Sequence, residues 1–352
     1  MSSVQIELKL RDICSKALEK NADEIYLLVG AVPFLRIEGK IKPLDSQEVL
    51  SLSTITQIKE FLAGGEQDKL NQHFSFVYNL EKIGNLEVTI IQEKNGPSVH
   101  IKILDREIKD LSKMGLPHLL INLVNLEKGI VFITGPRNSG KSSLAASIID
   151  YINKRQSKLI STLEKPIKYK FRSKKSLIEQ REVGRDVSSF YKGLCYIREN
   201  NIDVAMVSKV ETRECLDELF AIAERGTLIF AITYFDISVN LIRHLLHLYL
   251  PEEQAQVRYF LSRSLGGIIC TRLVPRVGGG RIRALEILPA IPSVRTIINR
   301  GKLHQLDTIL QGEEAISLDR YLADLITSGE VVMKEGIKAA ADPEGLRYLI
   351  SR

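Results

Sequence analysis

Gly129-Ile130-Val131-Phe132-Ile133-Thr134-Gly135-Pro136-Arg137-Asn138-Ser139-Gly140-Lys141-Ser142-Ser143-Leu144 sets the reading of the whole chain. Ile130 to Ile133 is an apolar, β-branched run suited to a strand buried on both faces, and Leu144 to Ile149 has the composition of a helix start. Between them stands G-x-x-x-x-G-K-S, a phosphate-binding loop. Its glycines let the backbone curl until the N–H groups point inward at phosphate oxygens, and the helix N-terminus adds a partial positive charge. Gly135, Pro136, Arg137, Asn138, Ser139, Gly140, Lys141, Ser142 and Ser143 are therefore the nucleotide-binding candidates. Lys141 would reach the β- and γ-phosphates, and Ser142 would be the protein ligand of Mg²⁺.

With 352 residues, 44% of them hydrophobic, the chain can bury a large core and is expected to hold two domains. The N-terminus carries charges where a signal peptide needs an apolar stretch, and no run approaches the roughly 18 apolar residues of a membrane span. Cys14, Cys195, Cys215 and Cys270 lack the close pairing of zinc ligands and the density of a disulfide framework. A cytoplasmic protein with reduced thiols is expected. The net charge of +6 and pI near 9.0 permit a polyanionic partner. Much of the excess is local, in Lys165 to Lys175, where basic residues alternate with apolar ones as in a strand with one wet face.

Residues 1–107 read as a small α+β domain. Helix patterns cover Val4 to Glu19 and Gln47 to Leu62. Strand patterns cover Ile25 to Val29, Phe34 to Ile37, Phe74 to Leu80, Leu86 to Gln92 and Ser98 to Leu104, the last two joined across Asn95-Gly96. Residues 108–128 read as a partly helical linker. From Gly129 the pattern changes to buried strands alternating with helices, with further strands at Leu159 to Leu163, Val204 to Val207 and Leu228 to Thr233. The expected fold class is α/β: a RecA-like P-loop NTPase core with a mostly parallel sheet over 129–292, then a helical tail over 293–352.

The order of motifs resembles the type II/type IV secretion ATPases, and within them the PilT-like pilus retraction motors, along essentially the whole chain. Ala22-Asp23-Glu24-Ile25-Tyr26-Leu27 and Pro33 to Gly39 are similar to the family's A-S-D-[LI]-H-[LI] and P-x-x-R-x-[DN]-G signature, with Tyr26 in place of the histidine. Ser173 to Val183 is similar to the segment that follows the family's acidic "Asp box", and Val294 to Lys302 resembles a weakened A-I-R-A-G helix. The resemblance implies a PAS-like N-terminal domain and hexameric rings, as a homo-hexamer or mixed with a paralogous motor ATPase. It also implies ATP with Mg²⁺ as cofactors, and work against a pilus platform protein at the inner membrane. No specific nucleic acid is expected.

The departures fall where hydrolysis needs acidic groups, a water-orienting carboxylate above all. The Asp box, I-E-D-P-I-E in the family, is Leu163-Glu164-Lys165-Pro166-Ile167-Lys168, which keeps Glu164 at the position of a catalytic carboxylate. In the Walker B segment Asp203 to Thr212, Lys209 occupies the place of the second glutamate, with Glu211 two residues on. Thr227 and Tyr234 stand where the His box has histidines, and of the family's arginine pair only Arg198 remains, one place out of register. Two readings follow. In one, the chain binds ATP but hydrolyses it poorly, with a scaffolding role in a pilus motor, and its ATP binding depends only weakly on Mg²⁺ if Lys165 and Lys209 face the same space. In the other, it is a working ATPase with Glu164 or Glu211 orienting water. A reading of another class, a P-loop ATPase that translocates nucleic acid, is permitted by charge and opposed by motif order. His244 and His247, three apart on a helix, read as packing or surface residues rather than metal ligands.

Overall fold

The structure is a computed structural model that describes residues 3–37, 39–45, 48–64, 74–104, 107–210 and 212–351. The chain divides into two compact units, Met1–Glu107 with Pro166–Lys168, and Ile108–Lys165 with Tyr169–Arg352.

The first unit is one six-stranded sheet carrying two helices. Its elements in order are α1 (Ser3–Glu19), β1 (Glu24–Leu27), β2 (Phe34–Ile37), β3 (Lys40–Pro43), α2 (Leu52–Ala63), β4 (Phe74–Leu80), β5 (Gly84–Glu93) and β6 (Gly96–Ile103). The strands run β3-β2-β1-β6-β5-β4, all antiparallel. Ile25, Leu27, Leu35, Val88 and Ile101 alternate onto one face and pack with Leu10 and Ile13 of α1 and Ile55 and Ile58 of α2. Strand β3 has no counterpart among the sequence expectations because all four of its residues are exposed, so no buried alternation marks it. Helix α2 starts five residues later than its periodicity suggested. Ser51 caps it by accepting from Thr54 N (3.1 Å), and Gly64, left-handed at φ 60°, ends it. The β5–β6 turn is Lys94-Asn95 rather than Asn95-Gly96, with Gly96 already paired to Glu93. Tyr26, at the family's histidine position, donates to Glu24 (2.5 Å) and accepts from Arg36. Lys168 pairs with Glu87 at 2.9 Å.

The second unit is a seven-stranded sheet between two helical layers. In order it contains α3 (His118–Val124), β7 (Gly129–Thr134), α4 (Lys141–Arg155), β8 (Leu159–Glu164), β9 (Leu177–Glu182), α5 (Phe190–Glu199), β10 (Val204–Val207), α6 (Arg213–Glu224), β11 (Leu228–Ile232), α7 (Ser238–His247), α8 (Gln254–Ser264), β12 (Leu265–Pro275) and β13 (Arg281–Pro289), followed by α9 (Pro292–Arg300), α10 (Leu306–Gln311), α11 (Leu318–Thr327), α12 (Met333–Ala339) and α13 (Pro343–Ile350). The strand order is β13-β12-β7-β11-β10-β8-β9, parallel except for β13. The large, mostly parallel sheet expected of the α/β class is present. Strand β7 is buried throughout because each face meets helices. Ile130 and Phe132 pack with Leu194, Leu219, Leu241 and Val294, and Val131 and Ile133 pack with Leu120, Leu144 and Ile148.

One expectation changes here, and two elements appear that the sequence reading did not include. Lys165 to Lys175 forms no strand, despite its alternation. Side chains satisfy its backbone instead of a ladder: Asn153 donates to Arg172 O (2.9 Å), and Gln180 donates to Tyr169 O and accepts from Phe171 N (both 2.8 Å). The edge strand is β9, which opens on exposed Leu177 and is otherwise partly buried, so it lacked a clean hydrophobic signal. The long β12–β13 hairpin, turning at Gly278 to Gly280, was legible only as its turn. Its end packs under the C-terminal helices, where Val274 and Ala284 meet Leu318, Leu322 and Leu346. Among the described residues no helix is long and apolar enough to cross a membrane.

Candidate functional site

The loop between β7 and α4 has a tightly curled backbone that only glycine allows at its start. Gly135 sits at φ 147°, and a Cβ there would stand 2.2 Å from Thr271 O and 2.7 Å from Ser139 Oγ, so no other residue fits without displacing backbone. Asn138 and Gly140 are left-handed at φ 61° and 84°. Such alternation turns successive N–H groups toward one concavity. The first turn of α4 is closed by Leu144 N donating to Gly140 O (2.9 Å), which leaves the N–H groups of Lys141, Ser142 and Ser143 outside the helical ladder. This set of donors, a helix N-terminus and a lysine fits the phosphates of a nucleotide.

The β12–β13 hairpin braces that loop, and no local sequence signal pointed to it. Register sets Cys270 beside Thr134, so the next residue, Thr271, lies beside the loop and donates to Ser139 O (3.2 Å). Arg283 donates to Thr271 Oγ1 (2.5 Å) and Gly140 O (3.2 Å). Bonds spanning 132 and 143 residues therefore hold the loop's shape.

Lys141 is buried and folded onto its own loop. Its Nζ donates to Gly135 O (2.9 Å) and Pro136 O (2.6 Å), lies 3.4 Å from Ser139 Oγ, and stands 4.5 Å from the centre of the Tyr234 ring. Tyr234 is carried there by the end of β11. Thr233 N donates to Ile133 O (3.0 Å), while Thr134 Oγ1 accepts from Phe235 N (2.7 Å) and donates to Phe235 O (2.9 Å).

The remaining sequence candidates divide by sheet edge. Tyr234 and Glu164 follow the C-terminal ends of their strands, the edge that carries the loop. Thr227 lies at the opposite edge, donating to Ile202 O (2.7 Å), and six residues of strand set it about 20 Å from Thr233. Of the two lost histidine positions, only Tyr234 belongs to the site. Glu164 ends β8, is 4% exposed and accepts from Thr162 (3.0 Å). Strand β8 is three places from β7, about 14 Å at the usual strand spacing, and β10, which leads into half-buried Lys209, is two places away. Lys165 does not share that space. Its Nζ is 4.0 Å from where a Cβ on Gly184 would be, in the turn that follows β9, the neighbour of β8 on the side away from β7. Glu211 lies outside the described residues. Arg198 is bound within its own chain, donating to the buried Glu218 (2.9 Å). His244 packs against Phe235, ring centres 4.5 Å apart and planes tilted by 37°, and no group of three or more metal-ligating side chains occurs among the described residues. A nucleotide's Mg²⁺ needs no such group, because the phosphates and the Ser142 hydroxyl can supply its ligands.

Behind the site, Glu286 of β13 is 3% exposed and accepts from Ser238 N (2.7 Å) at the start of α7 and from the Cys270 thiol (3.3 Å). Burial raises its carboxyl above the usual carboxylate range, against the lowering effect of these bonds. A cleft of about 770 Å³ lined by Lys128, Ser262, Arg263, Arg295, Thr296 and Asn299 lies at the opposite edge, where β7 begins, and is not the phosphate site.

Fold and loop define a P-loop nucleotide-binding protein with a RecA-like strand order. Residues 2–279 match the Type II/IV secretion system protein family, and the chain belongs to it. Over 349 residues it is 26% identical to the type IV pilus retraction ATPase PilT of Pseudomonas aeruginosa, covering 96% of this chain and 99% of that one. It is 27% identical over 345 residues to the type IV pilus ATPase PilU of the same organism, covering 95% and 89%. A crystal structure of the pilus retraction motor PilT with bound ADP superimposes with a TM-score of 0.81 at 31% identity, covering 96% of this chain and 98% of that one.

Proposed function

We propose that this chain is a pilus-motor subunit that binds ATP at residues 135–143 and hydrolyses it poorly. It acts in a six-membered ring, alone or mixed with an active paralogue, on the cytoplasmic side of the inner membrane beside a platform protein in type IV pilus retraction. The relatives' names carry the pilus assignment. The observation that carries the rest is an intact phosphate loop at a sheet edge whose Walker B segment carries Lys209 in the place of a glutamate. Charge there changes by two units relative to a glutamate, and at ~10 Å each unit is worth about 1.7 kcal/mol at an effective dielectric of 20. The loop residues supply binding: backbone N–H groups cradle the phosphates, and Lys141 unfolds toward the β- and γ-oxygens. Mg²⁺, when bound with ATP, would add a Lewis acid on those oxygens, with Ser142 as its protein ligand.

A second reading, a working ATPase with Glu164 orienting water, is favoured by that carboxylate's retention at the loop's edge of the sheet. Steady-state ATP turnover separates the two. We expect the purified chain to turn over at no more than about one hundredth of an active homologous motor, and to alter that motor's rate when mixed with it. Turnover within tenfold of the active motor, abolished by Glu164→Gln, would establish the second reading instead.

A further inference from the structure

We infer that Tyr234 is a latch on the phosphate loop: its ring face holds the Lys141 ammonium folded onto the loop's own carbonyls, and an incoming phosphate must break that contact to engage the lysine. The inference rests on the nucleotide-binding reading of residues 135–143 and adds a residue that controls entry to it.

Two features of the geometry support the latch. The ammonium lies among Gly135 O, Pro136 O and Ser139 Oγ at 2.9, 2.6 and 3.4 Å, so it donates to the loop's own acceptors rather than outward to a ligand. The Tyr234 ring lies against the ammonium at 4.5 Å, within the range where the negative face of an aromatic ring attracts a cation. Folded in this way, Lys141 is only 5% exposed. The arrangement stabilises the lysine in a position from which it cannot bridge the β- and γ-phosphates.

The latch can also open at little cost. The backbone at Tyr234 is pinned on both sides by the bonds of Thr233 and Phe235 to the end of β7, so only the side-chain torsions need change. The ring is 51% exposed and gives up little burial in swinging aside. A phosphate oxygen offers Lys141 a full negative charge, which supplies the driving force. The phenolic oxygen has no part in the contact, so phenylalanine should latch as well as tyrosine. A protonated imidazole at this position would repel the ammonium.

The test uses the full-length, nucleotide-free protein in parent, Tyr234→Ala and Tyr234→Phe forms. One arm measures the association rate of a fluorescent ATP analogue by stopped flow. The other measures acetylation of Lys141 by limiting N-hydroxysuccinimidyl acetate, read by peptide mass spectrometry. We expect Tyr234→Ala to raise both rates by about two- to fivefold, the scale of an exposed cation–π contact, and Tyr234→Phe to keep the parent's acetylation rate. Unchanged Lys141 acetylation in Tyr234→Ala overturns the latch, as does a phenylalanine variant that behaves like the alanine one. If the parent binds no ATP analogue, the nucleotide reading fails, while the acetylation arm still decides whether the ring shields Lys141.

Discussion

Lys209 and Lys165 both replace acidic residues of the family pattern, yet their positions give them different weight. Lys209 follows β10, two strands from the loop, on the edge where a nucleotide's metal would sit. Lys165 leans toward Gly184 in the turn that follows β9. From β8 to β7 is already about 14 Å and Lys165 is exposed, so salt largely screens its charge from the loop, while the nearer, half-buried Lys209 is screened less. The condition for weak Mg²⁺ dependence, both lysines in one space, is thus met by Lys209 without Lys165; on the strength of Lys209 doing part of the metal's work in neutralising phosphate, we predict that excess EDTA lowers ATP affinity by less than about threefold. Lys209→Glu should make binding strongly Mg²⁺-dependent, and Lys165→Glu should leave the metal dependence as it is. Titration of a fluorescent ATP analogue with Mg²⁺ and with EDTA checks all three. A large loss of parent affinity in EDTA would remove the physical basis for a site degraded by Lys209.

Among the elements, α7 depends on a carboxyl from another part of the fold. Ile237 offers no side-chain cap, and Glu286 of β13 accepts from Ser238 N instead. Because burial raises this carboxyl above its unfolded value, the folded chain holds the proton more tightly than the unfolded chain does. The resulting stabilisation is complete below the unfolded value of 4.5 and is lost as pH rises through the raised one. Glu286→Gln keeps an acceptor for Ser238 N without that titration. Its melting temperature should therefore gain on the parent's as pH is raised from 4.5 to 8. Glu286→Ala leaves a buried N–H without its acceptor and should destabilise by about 1–3 kcal/mol at any pH. Thermal melts of the three proteins across that range decide the matter, and a pH-independent gap between parent and Gln would show that Glu286 does not titrate differently on folding.

For the whole molecule, the family resemblance extends through both units and includes Val294 to Lys302, which folds as α9 and is ended by Gly301 at φ 71°. A ring of six is the assembly we predict, formed by this chain alone or with a paralogous motor subunit. Native mass spectrometry with nucleotide should show hexamers. Monomers under every condition, including mixtures with candidate partners, would exclude the ring.

The sequence by itself determined the phosphate loop, the strand before it and the helix after it, since glycine positions and hydrophobic period are local properties that β7 and α4 express directly. It also carried the family, because motif order is a property of the chain. What only the tertiary structure decided are relations between distant residues. Lys165 to Lys175 alternates like a strand, but Asn153 and Gln180 bond its backbone where no neighbouring strand does. Thr227 and Tyr234 look equivalent as lost histidines, but a strand of fixed rise puts them at opposite sheet edges. Thr271, Arg283 and Glu286 announce nothing in their own segments. They reach the loop and α7 because β12 pairs with β7 in one register, and that register is chosen by burial on both faces of the sheet.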